Sequence, residues 1–212
     1  MKKYLLITML ASMIFLLIGC ESKDDSKLES YLKEEEEIMD LMMENMENVE
    51  DTGSASLDFL YGMIPHHEAA VDMAESYLKY AGDNAEFGEM AKNIISAQDD
   101  EIDQMNDMIK RIEKSEQMDL DEEQEYLEKY NGMMLEHHEA HEIEANSLDS
   151  AFAVGMSMHH QMAVDMAEAI ADNTEDEQVS EFAESIIELQ KQEIARMQAY
   201  LNDQRTDSER RH

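Results

Sequence analysis

Gly62-Met63-Ile64-Pro65-His66-His67-Glu68-Ala69-Ala70-Val71-Asp72-Met73-Ala74-Glu75 returns as Gly155-Met156-Ser157-Met158-His159-His160-Gln161-Met162-Ala163-Val164-Asp165-Met166-Ala167-Glu168, an offset of 93 residues. Behind each copy a second block repeats. Ile94-Ile95, Gln98, Glu101-Ile102 and Met105 match Ile186-Ile187, Gln190, Glu193-Ile194 and Met197 at an offset of 92, so the second unit has lost one loop residue. Each unit reads as a helical hairpin: a His-His helix, a short loop, then a Gln-x-x-Glu-Ile helix. Two such hairpins hold the parts of a four-helix bundle.

Outside the repeat the composition stays helical. One proline, seven glycines and no tryptophan in 212 residues leave no strand signal. Breaks fall near Gly82-Asp83-Asn84, Met118-Asp119, Asn146-Ser147 and Asp172-Asn173-Thr174. A charged helix is expected from Leu28 to about Val49, with Ile38, Leu41, Met42 and Val49 as its apolar positions. A further helix, roughly Glu122 to Ala145, joins the hairpins. The expected fold class is all-α: a four-helix bundle of two repeated hairpins with extra linking and N-terminal helices.

The N-terminus is a processing segment. Lys2 and Lys3 precede an apolar run from Tyr4 to Ile18, and Leu17-Ile18-Gly19-Cys20 closes it. A basic start, an apolar stretch and a small residue before the cut describe a secretory signal. The last four residues resemble a bacterial lipobox, in which the cysteine is lipidated; that role falls on Cys20. An uncleaved membrane span is the alternative, but the run is shorter than the ~20 residues a span needs. Residues 1–19 are then the signal peptide and 20–56 the lipidated tether and N-terminal helix, with Glu21 to Lys27 as the tether. Residues 57–203 are the duplicated bundle and 204–212 a polar tail. The expected location is extracytoplasmic, anchored to the cell membrane through lipid.

Cys20 is the only cysteine. Once it is lipidated the chain has no disulfide and no thiolate ligand. The formal charge is −35, and cleavage before Cys20 removes Lys2 and Lys3 and no acid, leaving −37. Such a field disfavours nucleic acid. It also fits a salt-adapted surface, so charge by itself does not specify a metal site. Of 20 methionines, Met1, Met9 and Met13 leave with the signal and 17 remain.

On a helical wheel with His66 at the origin, Met63, Ala70, Ala74 and Tyr77 fall between roughly 20° and 80°, and Met73 near −20°. Glu68, Asp72 and Glu75 take the opposite face. His66 and His67 therefore flank the apolar arc and point toward the core. His159 and His160 repeat this, with Met156, Met162 and Met166 along the stripe. Neighbouring residues on one helix point about 100° apart, so two adjacent histidines do not easily clamp one ion. A site needs a second helix, and the repeat supplies it: His66 or His67 can meet His159 or His160 across a pseudo-two-fold axis.

Imidazole suits copper, zinc, nickel and iron, whereas thioether selects copper(I), and silver(I) by analogy. Methionine is also a flexible core filler, so any single one is ordinary packing. The repeated Met-x-x-His-His-(x5)-Met pattern is what argues for ligation by Met63, Met73, Met156 and Met166 beside the histidines. A second candidate metal site is Met134, His137, His138 and His141, which can share one helix face; its rival is a solvated His-Glu face. Gln98, Glu101, Gln190 and Glu193 lie on the partner helices, where they could orient the imidazoles or simply pack between helices.

No catalytic motif stands out. A di-iron bundle needs Glu-x-x-His on two helices, but the residues three before His66, His67, His137, His138, His141, His159 and His160 are Met63, Ile64, Met134, Leu135, His138, Met156 and Ser157. His138-Glu139-Ala140-His141 is one residue short of the zincin motif.

Phe59-x-x-Gly62-Met63-Ile64-Pro65-His66-His67 followed by Gln98-x-x-Glu101-Ile102-x-x-Met105, with both motifs duplicated, resembles the domain-of-unknown-function family numbered 305. The resemblance spans about Leu57 to Leu201. It implies a ferritin-like helical bundle, exported, and in some members copper binding tied to copper tolerance. It places the ligand role on Met63, His66, His67 and Met73, then Met156, His159, His160 and Met166. The chain departs from the pattern at Met158, which stands in place of Pro65, and in its added His137-His138-His141 cluster.

The expected function is metal binding outside the cytoplasm. Copper(I) is the leading ion and zinc or silver the others, for sequestration or delivery to a metal-trafficking partner protein. The alternative is an acidic helical envelope module that binds zinc, nickel or no metal.

Overall fold

A computed structural model describes residues 23–115, 120–138, 143 and 145–210. The signal segment, Cys20 and His141 lie outside them. The described residues form six helices and no strand. Helices α2 (Ala55–Ala81) and α3 (Gly88–Glu113) make the first hairpin; α5 (Leu148–Ala171) and α6 (Glu177–Arg210) make the second. Helix α1 (Lys23–Glu47) precedes the bundle and α4 (Leu120–His138) links its halves. No described helix is long and apolar enough to cross a membrane.

The duplication is legible at the helix starts. Ser54 and Ser147 occupy the same repeat position, and both are extended N-caps. The Ser54 hydroxyl accepts the Leu57 N–H at 3.5 Å. Ser147 exchanges bonds with Ser150, accepting its N–H at 3.1 Å and donating its own at 3.0 Å to the Ser150 hydroxyl. Each cap satisfies a donor that the first turn leaves free. The α2–α3 loop turns at Gly82, whose φ of 88° suits glycine. Gly88 is needed for space, since a Cβ there would lie 2.3 Å from the Asp83 carbonyl oxygen.

Helix α2 runs through Pro65 unbroken. Proline supplies no N–H to the preceding turn, so packing must hold the helix there. Helix α2 contacts α1, α3, α4 and α5, and α5 contacts α1, α2, α4 and α6. These two central helices carry apolar or small residues on most sides, as buried helices do. Helices α3 and α6 flank them, and α1 and α4 cover them.

The core divides into two apolar clusters. Met63 and Met166 belong to one, with Phe59, Met105 and Ile186. Met73 and Met156 belong to the other, with Tyr77, Phe152 and Ile94. Along α2 the order is Met63, His66, His67, Met73; along α5 it is Met156, His159, His160, Met166. The central helices thus run antiparallel, and the histidines form a polar layer between the clusters.

Three expectations change. Helix α1 starts at Lys23, inside the stretch read as a tether, because Leu28 packs on the second cluster and Lys27 Nζ donates to the Tyr80 carbonyl at 3.4 Å. Leu41 is 54% exposed. The inward face of α1 is Tyr31, Glu35, Met42, Met43 and Met46, a stripe that Leu41 misses. Helix α4 is described over Leu120–His138 and does not run to Ala145, since Ile143 and Ala145 are irregular. Ile143 packs back on α5, its Cδ1 3.0 Å from where a Cβ on Gly155 would stand, before Ser147 starts the next helix.

Candidate metal centre

All four repeat histidines are fully buried. His66 and His159 meet across the pseudo-two-fold axis, with ring centroids 3.8 Å apart. Each Nε2 reaches the other's backbone: His66 Nε2 to the His159 carbonyl at 3.1 Å, and His159 Nε2 to the His66 carbonyl at 2.9 Å. Their neighbours turn outward by about one residue's rotation. His67 Nε2 meets Glu101 Oε2 on α3 at 2.8 Å, and His160 Nε2 meets Glu193 Oε2 on α6 at 2.8 Å. The ring centroids of His66 and His67 lie 6.1 Å apart, and those of His159 and His160 5.9 Å.

This arrangement selects one tautomer. A carbonyl or carboxylate oxygen accepts, so Nε2 must be the donor in each ring. In the neutral imidazole Nδ1 then carries the lone pair. All four Nδ1 atoms are buried without a hydrogen-bond partner. Buried nitrogens without partners are rare because they lose water and gain nothing. Four such lone pairs lie in one layer, each ring held by a bonded Nε2, and each is free to donate to a metal ion.

Burial holds His66 and His159 well below the usual imidazole range, and the charges of neighbouring histidines add to it. Both rings are neutral at pH 7. An unfolded histidine binds a proton near pH 6.5, and the buried pair resists it. Their contribution to stability is therefore present above about pH 6.5 and is lost as pH falls below it.

Met63, Met73, Met156 and Met166 are all fully buried on the two sides of the histidine layer. The Met166 tip lies 3.5 Å from the Cβ position of Gly62, and the Met73 tip 3.5 Å from that of Gly155. The glycine that opens each repeat gives the partner helix's methionine room. Among the described residues, no three His, Cys, Asp or Glu side chains form a group that could hold an ion.

Of the residues expected behind the imidazoles, Glu101 and Glu193 reach them. Gln98 and Gln190 are buried on the same stripes, yet Gln98 Oε1 and both amide atoms of Gln190 have no partner. In the second candidate site Met134 is half-buried on α4. His137 and His138 fall at the end of that helix, and their side chains lie outside the described part of the structure.

Sequence reading missed Glu35. It lies on α1, fully buried, with neither oxygen hydrogen-bonded. Desolvation pushes its carboxyl up to about 8, against a smaller opposing effect of Tyr31. Helical spacing placed Glu35 within a run of four glutamates, which reads as solvated surface. Only Tyr31 and Met39, one turn to either side, hinted that this one faces inward.

The raised value predicts a pH effect. The folded group keeps its proton where the unfolded one has lost it, so its stabilisation is full below about pH 4.5 and disappears as pH rises to about 8. Glu35→Gln is expected to match wild type at pH 4.5 in metal-free urea unfolding. At pH 7 it should exceed wild type by roughly 3 kcal/mol, since holding the proton against each further pH unit costs about 1.4 kcal/mol. Equal stability at both pH values would show that Glu35 is ionised and solvated.

The solved structures that resemble the chain include two of CopM. CopM in the Ag-bound form, prepared by soaking, is 30% identical with a TM-score of 0.52. CopM in the Cu(I)-bound form is 30% identical with a TM-score of 0.51. Each likeness covers 70% of this chain and 96% of the other. A comparison with curated proteins finds no match. The family model described as Domain of unknown function (DUF305) matches residues 56–201, the stretch that holds both hairpins and all four buried histidines, and the chain belongs to that family.

Proposed function

We propose that the chain is an extracytoplasmic lipoprotein that binds copper(I) in its histidine layer and sequesters it or hands it to a trafficking partner, limiting toxicity. The observation that carries this reading is the set of four buried, partnerless Nδ1 atoms between two pairs of methionines. Soft thioether beside imidazole favours copper(I) over harder ions. The likeness to CopM, solved with Cu(I) and with Ag, supports the same choice. Membrane attachment through lipid on Cys20 follows from the lipobox resemblance. No step of catalysis is assigned; the ligands bind and release.

One observation favours a second reading. His67–Glu101 and His160–Glu193 are carboxylate–histidine pairs of the kind that back zinc ligands. An anaerobic titration of residues 21–212 with copper(I) against a chromophoric chelator, with zinc in parallel, separates the two. Tight stoichiometric copper(I) binding with weak zinc binding is expected. Zinc bound more tightly than copper(I) would replace this reading with that of a zinc module.

A further inference from the structure

Helix α1 stands outside the matched family region and brings a second set of donors to the bundle. A groove of about 610 Å³ opens between α1 and α5, lined by Glu35, Met39, Gly155 and Met158 among others. Glu35 lies on its floor. Its side chain is wholly buried, both oxygens lack a hydrogen-bond partner, and Oε2 lies 3.3 Å from the Cβ position of Gly155. Tyr31, one turn before Glu35, is its polar neighbour, but the Tyr31 hydroxyl also lies outside hydrogen-bond geometry. The oxygen is oriented into a space that can take a cation.

The other donors present are soft. Met39 follows Glu35 by one helical turn, and Met158 follows Gly155 by three residues, so both thioethers border the space that Glu35 faces. Met158 is also the residue that replaces the first repeat's Pro65, so the second repeat has a donor where the first has none. Carboxylates of Glu29, Glu36 and Asp40 ring the mouth and draw cations in. Lys33 is the one cationic residue on the lining, and its ammonium is held by Glu37 at 2.8 Å. The Met73 tip lies 3.5 Å from the same Gly155 Cβ position, so a single glycine separates the groove from the methionines beside the histidines.

We propose that this groove is an additional soft-cation site, in which the Glu35 carboxylate and the Met39 and Met158 thioethers take one copper(I) or silver(I) ion at the entrance to the histidine layer. Carboxylate with thioether suits a soft monovalent ion better than a hard divalent one, which demands more oxygen ligands. The choice of ion rests on the function proposed above; the groove's geometry does not.

The test is an anaerobic silver(I) titration of the full chain in detergent, counting bound equivalents against a competing thioether ligand. Three proteins are compared: wild type, Glu35→Gln/Met39→Leu/Met158→Leu, and the variant with alanine at His66, His67, His159 and His160. The groove variant is expected to lose one equivalent and keep the others, and the histidine variant to keep the groove equivalent and lose the rest. If the groove variant binds as many equivalents as wild type with unchanged affinity, the groove site is overturned. If instead the histidine variant keeps every equivalent, the histidine assignment fails while a loss in the groove variant still supports the groove. Met158→Leu alone conserves shape, so it serves if circular dichroism shows the triple variant unfolded. It should weaken the groove equivalent at least tenfold, and unchanged affinity in it would equally overturn the proposal.

Discussion

Alanine in place of His66, His67, His159 and His160 together is expected to lower copper(I) affinity by more than the ~10–100-fold that follows from disturbing a ligand's outer partners. The expectation rests on the lone pairs. Each Nε2 is committed to an oxygen, so the partnerless Nδ1 atoms are the nitrogen donors left in the core. Removing them leaves thioethers alone. The paired change Glu101→Gln with Glu193→Gln should fall within the ~10–100-fold range, because the imidazoles remain and only their aim and basicity suffer. Chelator competition on both variants checks the order, with circular dichroism to establish that each is folded. A folded four-alanine variant with wild-type affinity would show that the ion binds elsewhere.

Phe152→Ala is expected to cost about 3–5 kcal/mol of stability, as buried aromatic truncations do. Phe152 is fully buried on α5 and stacks on Tyr77 with centroids 4.3 Å apart; Phe87 approaches it at 5.6 Å. The neighbours cannot collapse into the space. Tyr77 is fixed by its hydroxyl, which donates to Asp149 and accepts the Phe87 N–H at 3.1 Å. For a chain of this size the melting temperature should fall by about 10 °C. Phe59, its repeat counterpart, lies among Met42, Met46, Met63 and Met105. Flexible methionines refill space more readily, so Phe59→Ala should sit at the low end of the range. Differential scanning calorimetry of both variants would settle it, and a smaller loss at Phe152 than at Phe59 would refute the packing argument. Copper(I) affinity measured well below the transition should change little in either, since neither ring carries a ligand.

The helical class and the hairpin duplication were open to reading because both are local properties. Ser54 and Ser147 cap the same position, and the two His-His segments bury the same His, Met, Ala and Gly positions. The wheel also placed His66, His67, His159 and His160 on the inward side and Glu68, Asp72 and Glu75 on the outward side, as the burial pattern has them. Reading failed where a residue's fate depended on a partner helix. Leu41 looked like core and is exposed; Glu35 looked like surface and is buried. Within α1 only Tyr31 and Met39 set Glu35 apart, because the charged composition lets several faces serve and the position of α2 and α5 selects one. The length of α4 was misjudged for a similar reason: Ile143 leaves the helical path to pack on Gly155, a contact that no local pattern encodes.

The sequence by itself determined that two equivalent helices present paired histidines and methionines to a common core. A 3.6-residue period written twice allows little else. Tertiary structure alone decided which atoms meet. A wheel gives each side chain an angle about its own helix axis but neither the rotation nor the slide of that helix against its neighbours. Antiparallel packing of α2 on α5 brings His66 to His159. The ~100° between adjacent side chains then sends His67 to Glu101 on α3 and His160 to Glu193 on α6. That division of partners leaves the four Nδ1 lone pairs free, and it exists only once the four helices are assembled.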